Sequence, residues 1–183
     1  LLISETLHVL FSVIIITLLA TVLSVASVFA FQRQIRKPTF FLLFMNVAFA
    51  SGVIFLANIV FARNDRLLNV AIFFIAYLYV YGSLGKHTSR YDDTFRMLFL
   101  SMGYTRQEFF KNYLLLQGKW KLVDCVFTFS AIATAIKLMS VHFKYFYPGE
   151  WLQIMLLFMV ICMVVGVSRW FGDNSVNKLS KEE

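Results

Sequence analysis

The residue types that could do chemistry are few and scattered. His8, His87 and His142, the thiols Cys125 and Cys162, and the carboxylate pair Asp92–Asp93 with Arg96 are the candidates. The apolar runs around the three histidines put them at three different depths of a membrane, and none has a carboxylate three or four residues on. They read as separate polar residues rather than a metal or acid–base set. His87 reads as a solvated loop residue. Asp92 and Asp93 stand four and three residues before Arg96, the spacing of surface pairs on a helix. Each cysteine lies in an apolar run without a CxxC partner, so both read as free thiols rather than a disulfide or metal pair. No GxxxxGK[ST] loop is present, which argues against ATP binding through a P-loop, and no Ser-centred Gly motif stands out. A membrane enzyme is therefore a minor alternative, and neither catalytic residues nor a metal or cofactor is expected.

What must position these residues is set by composition. Of 183 residues, 60% are hydrophobic and 21 are Phe, and mean hydropathy is +0.73. That is the composition of a membrane protein. The net charge of +7 falls mostly between apolar runs. It reads as loop charge that sets orientation, not as a nucleic-acid surface. Five runs approach the roughly 20 residues needed to cross about 30 Å of hydrocarbon: 7–31, 39–62, 67–85, 122–141 and 151–168. Helices satisfy their own backbone in lipid, so the sequence predicts an all-α, polytopic integral membrane protein with about five transmembrane helices.

The first connection, QRQIRKPT, is basic without an acid, and the second, RNDR, is short. The third, 86–121, is long and rich in Lys and Arg, the fourth, HFKYFYPGE, is aromatic, and the tail is basic. Alternation of strong and weak basic character predicts a cytoplasmic C-terminus and an N-terminus outside. Trp151, Tyr145 and Tyr147 suit an outer interfacial belt, and Trp120 and Trp170 an inner one. The first apolar run is too long for a signal peptide and lacks a basic leader. Starting at Leu1 rather than Met, the sequence reads as a processed product, a fragment or part of something longer.

The long connection contains YDDTFRMLFLSMGYTR, residues 91–106. Phe95, Leu98, Phe99 and Met102 recur at i, i+3, i+4 and i+7, giving one apolar helix face. Gly103 can end that helix in a left-handed conformation. Thr105 with Glu108 has the spacing of a capping box and opens a second helix carrying Phe109, Phe110, Tyr113 and Leu116. The expectation is a cytoplasmic amphipathic helix-turn-helix between the third and fourth spans. It would lie on membrane lipid or dock in a groove on a partner.

This arrangement resembles the FtsX-like (MacB-type) ABC transporter permease domain over about 67–170. Leu98, Phe99, Met102, Gly103, Thr105, Arg106, Gln107 and Phe109 fall in step with the family's turn. The resemblance implies a three-helix permease unit at 67–170, with a coupling segment at 86–121. Two helices would precede it in 1–62, and a cytoplasmic tail would follow in 171–183. It also implies a bacterial plasma membrane, a separate ATP-binding subunit and a second permease half or subunit. The partner-binding residues would be Phe95, Leu98, Phe99, Met102, Gly103, Tyr104, Thr105 and Arg106. Members usually carry a large extracellular domain after the first span, whereas only residues 63–66 separate the second and third apolar runs here. The alternative is a non-catalytic accessory or scaffold subunit of a larger membrane complex.

Polar residues inside the apolar runs complete the candidates. Asp124 and Lys137 lie near opposite ends of the fourth run, close enough to reach the interfaces or to serve a coupling or substrate path. Asn46, Asn58 and Asn69 are expected to face protein as interhelical hydrogen bonders. Ala131, Ala133 and Ala135 would allow close helix approach.

Overall fold

A computed structural model of the protein describes residues 2–30, 45–89, 101–103 and 115–179. Among them the fold is all-helical, without strands. The long helices, in chain order, are α1 (Leu2–Ala30), α2 (Val47–Val60), α3 (Asp65–Ser89), α4 (Leu115–Phe146) and α5 (Trp151–Leu179). Four of them contain stretches long and apolar enough to cross a membrane: Thr6–Val28, Asp65–Leu84, Gly118–Phe146 and Trp151–Arg169.

The second apolar run departs from the expectation of one helix over 39–62. Residues 39–44 lie outside the described residues, and Met45 and Asn46 are not helical. Asn46 is instead the N-cap of α2, with its side chain accepting the Phe49 N–H at 2.8 Å. An Asn in extended backbone satisfies one of the donors a helix start leaves open, and so fixes where the helix begins. The 14 residues of α2 rise about 21 Å, short of a full hydrocarbon crossing.

Two short turns join consecutive helices. After α2, Asn64 caps α3, its Oδ1 accepting the N–H groups of Arg66 at 3.1 Å and Leu67 at 3.3 Å. After α4, Tyr147 and Pro148 end the helix, since a proline ring cannot continue one. The Tyr147 carbonyl accepts from Trp151 N at 2.8 Å to start α5. The expected tail from 171 begins as helix, because α5 runs on to Leu179.

Two antiparallel pairs have readable register, α3 with α4 and α2 with α5. Along α3 and α4 the contacts are Asn69 with Lys137, Tyr79 with Phe129 and Ser83 with Cys125. One number rises as the other falls. Along α2 and α5, Phe55 stacks on Phe158 with ring centroids 5.8 Å apart, and Asn46 Nδ2 donates to the Gly166 carbonyl at 2.6 Å. Between these contacts the backbones nearly touch. A Cβ on Gly166 would come within 2.8 Å of Phe49 N, and one on Gly52 within 2.9 Å of Met163 Cγ. Small residues are what allow such closeness in lipid, where packing and hydrogen bonds hold helices together.

α1 packs against α3 and α4, α2 touches α3, α4 and α5, and α5 rests chiefly on α2. The core contains Val13, Ile54, Ile72, Val80 and Met155, all fully buried. α3 is the most enclosed span and α5 the least. The outer faces of α1 and α5 carry Phe11, Val22, Leu157 and Val164, all more than half exposed. Apolar faces turned outward suit a bundle whose solvent is lipid. The helices thus suggest a membrane protein.

Candidate functional site

The sequence singles out two regions. The first is the turn at 101–103. Ser101 is helical, Met102 follows with 65% of its surface exposed, and Gly103 has φ +85°. No other described glycine has positive φ. A Cβ on Gly103 would meet nothing within 4 Å, so the constraint on that position is the left-handed backbone alone, which most L-residues adopt at a cost. Phe95, Leu98, Phe99, Tyr104, Thr105 and Arg106 lie outside the described residues. The same holds for Asp92, Asp93 and Arg96, and for the Thr105–Glu108 capping box.

The second region is the set of polar groups inside the bundle. Lys137 on α4 donates through Nζ to Asn69 Oδ1 on α3 at 3.0 Å. Asp124 pairs instead with Lys121 on its own helix, 3.0 Å away, and also accepts from Thr128 Oγ1 at 3.3 Å. Both members of that ion pair are more than half exposed. A pair of this kind contributes little, about 0–1 kcal/mol. Asp124 and Lys137 are therefore not brought together.

The three asparagines have different roles. Asn46 bridges α2 to α5 through Gly166 while capping its own helix, and Asn69 bridges α3 to α4. Asn58 is buried, but its Nδ2 donates to the Ile54 carbonyl at 2.9 Å within its own helix. Of the three alanines expected to permit close approach on α4, only Ala133 is buried; Ala131 and Ala135 are exposed. Spacing of two cannot keep residues on one face of a helix that turns every 3.6 residues.

Several polar contacts have no counterpart in the motif reading. The Tyr77 hydroxyl meets Ser27 Oγ at 3.1 Å, and Ser24 Oγ donates to the Tyr77 carbonyl at 3.0 Å, tying α1 to α3. Cys125 Sγ donates to Ser83 Oγ at 3.1 Å between α4 and α3. Lys144 Nζ reaches the Ala62 carbonyl at 3.1 Å and sits 5.2 Å from the Trp151 ring centroid, joining both turns at one end of the bundle. The sequence signal for the first set is the Thr17, Thr21, Ser24 series on one face of α1.

Cys125 and Cys162 are free thiols. Among the described residues no His, Cys, Asp or Glu group has the arrangement of a metal site. His142 has Nδ1 3.0 Å from the Leu138 carbonyl of its own helix, and His8 is exposed on α1. No family model, curated protein or solved structure matches the chain.

Proposed function

We propose that this chain is a membrane-spanning permease subunit, or part of one, of an FtsX/MacB-like ABC transporter. On this reading the four long apolar helices cross a bacterial plasma membrane and the shorter α2 is the remaining one of about five transmembrane segments, with the N-terminus outside and the C-terminus cytoplasmic. It does not hydrolyse ATP. A separate ATP-binding subunit docks on the 92–111 segment, and a second permease half completes the transporter.

The observation that carries the reading is the turn between α3 and α4. Gly103 holds a left-handed conformation directly after exposed Met102 and helical Ser101. A sharply turned connection with an exposed apolar tip is what docking into a groove on another protein requires. The register of α3 against α4 adds a means of transmission. These two helices flank the turn and are joined by Asn69–Lys137 and Ser83–Cys125. In the proposed mechanism a push on the turn would reach α3 and α4, which these contacts hold to one another.

The test is co-purification from a detergent extract, with mass spectrometry of whatever accompanies wild type and Gly103→Val. The expected result is a P-loop ATPase that accompanies wild type and is lost from the variant, while membrane insertion of the chain is unchanged. Recovery of other membrane proteins without an ATPase would replace this reading with that of an accessory subunit.

A further inference from the structure

The hydrogen bonds between helices sort the bundle into two bodies. Ser24 and Ser27 on α1 bond to Tyr77 on α3. Cys125 and Lys137 on α4 bond to Ser83 and Asn69 on α3. These bonds hold α1, α3 and α4 together, and α1 also packs along α4. Chain order would add α5 to this group, but packing does not. α5 has its main neighbour in α2 and touches α4 lightly. Asn46 beside α2 donates to the Gly166 carbonyl of α5, and at Gly52 and Gly166 the two helices meet too closely to admit a Cβ without a shift. The second body is therefore α2 with α5.

The links between the bodies gather at one end. Among the described residues, the hydrogen bonds and ring contacts that cross from one body to the other come from the last turn of α4. Lys144 Nζ donates to the Ala62 carbonyl at 3.1 Å and lies 5.2 Å from the Trp151 ring centroid. Phe143 stacks on Phe158 with centroids 6.2 Å apart. The turns at 61–64 and 147–150, which carry the chain from one body to the other, are at this same end. Away from it, buried polar side chains do not cross. Ser51 and Asn58 on α2 bond to carbonyls of their own helix at 2.8 and 2.9 Å. Ser130 and Thr134 on α4, 3% and 7% exposed, have no hydrogen-bond partner. The cluster that continues from one body into the other is apolar, with Ile54 on α2, Ile72 on α3 and Met155 on α5. In lipid, apolar packing between helices has no hydrophobic driving force behind it, because acyl chains are as apolar as the side chains they replace. Parting the bodies away from the turns breaks none of these hydrogen bonds.

We propose that α2 and α5 swing as one unit against α1, α3 and α4, pivoting on the Lys144 clamp and opening the bundle at the end opposite the two turns. Few-residue turns at one end of two packed units are the usual form of a hinge. A tilt of about 15° over the 13 residues from Trp151 to Val164, about 20 Å of helix, displaces Val164 by about 5 Å. The swing stands whether or not the chain couples to an ATPase.

The test is the distribution of distances between paired nitroxide labels on the full chain in phosphatidylcholine nanodiscs, read by double electron–electron resonance. Cys162→Ala removes the more accessible thiol, and Cys125, 2% exposed, stays out of reach of the label. Label-bearing cysteines replace outward-facing residues in pairs: Val164 with Phe127 across the two bodies, Val164 with Leu56 within the second, and Phe127 with Phe74 within the first. The expected result is a distribution for Val164–Phe127 wider by about 5 Å or more than either within-body pair, as a swing of that lever requires. Lys144→Met should widen it further and leave the within-body pairs unchanged. A Val164–Phe127 distribution as narrow as the other two would overturn the proposal. So would a wide Val164–Leu56 distribution, the outcome if α5 moves with α3 and α4 instead. A Lys144→Met protein with the unaltered distribution would overturn the pivot. If that variant does not fold, the three distributions in the otherwise unaltered chain decide.

Discussion

Replacing Gly166 with Ala probes the α2–α5 crossing with a single methyl group. The added Cβ would sit 2.8 Å from Phe49 N and 3.0 Å from Phe49 Cα. These are backbone atoms, so no side-chain rotation relieves the clash and the helices must separate. Overpacking of this kind costs about 1–3 kcal/mol. Separation also stretches the Asn46 Nδ2 to Gly166 carbonyl bond, now 2.6 Å, worth about 0.5–1.5 kcal/mol. Against this, Ala is favoured over Gly within a helix by about 1 kcal/mol. The balance is a net loss of about 0.5–3.5 kcal/mol. The assay is equilibrium unfolding by denaturant in mixed micelles, followed by circular dichroism. Gly149→Ala is the control, since a Cβ there meets nothing within 4 Å and its φ is not positive; its expected effect lies within about 0.5 kcal/mol. A Gly166→Ala protein as stable as wild type, or more so, would refute the close backbone approach of α2 and α5.

Two further outcomes follow from the hydrogen bonds. Asn64→Ala removes the cap of α3, whose Oδ1 accepts from Arg66 and Leu67, and should destabilise the same unfolding transition by about 0.5–2 kcal/mol. Tyr77→Phe leaves Ser27 without its 3.1 Å partner and should cost about 0.5–1.5 kcal/mol. In the double variant with Ser27→Ala the two losses should add up to less than their sum, which a double-mutant cycle reads directly.

Four of the five expected spans were legible because hydropathy reports what meets lipid. It does not report where a helix ends. The fourth apolar run, 122–141, lies within a helix running from Leu115 to Phe146. Lys119, Lys121 and Lys144 are good helix formers that hydropathy counts as loop. Asn46 was visible as a polar residue in an apolar run, yet not as a cap, since capping depends on the backbone leaving the helix at that residue. Asn69 and Lys137 were each visible alone. Their pairing depends on the register of α3 against α4, which no local pattern encodes. The unpartnered hydroxyls of Ser130 and Thr134 were invisible for a related reason. Ser and Thr in an apolar helix ordinarily satisfy themselves on their own backbone, and only packed coordinates reveal the two that do not. Gly103 is the opposite case: an apolar face followed by Gly was enough to read a turn, and its φ is +85°.

The coupling role rests on what touches the exposed Met102 side chain in the cell. A photocrosslinking amino acid placed at position 102, with one at the outward-facing Phe127 as reference, tests this directly. The coupling account predicts a covalent adduct from position 102 that contains a P-loop ATPase and is absent from position 127. Adducts to lipid alone from both positions would contradict it.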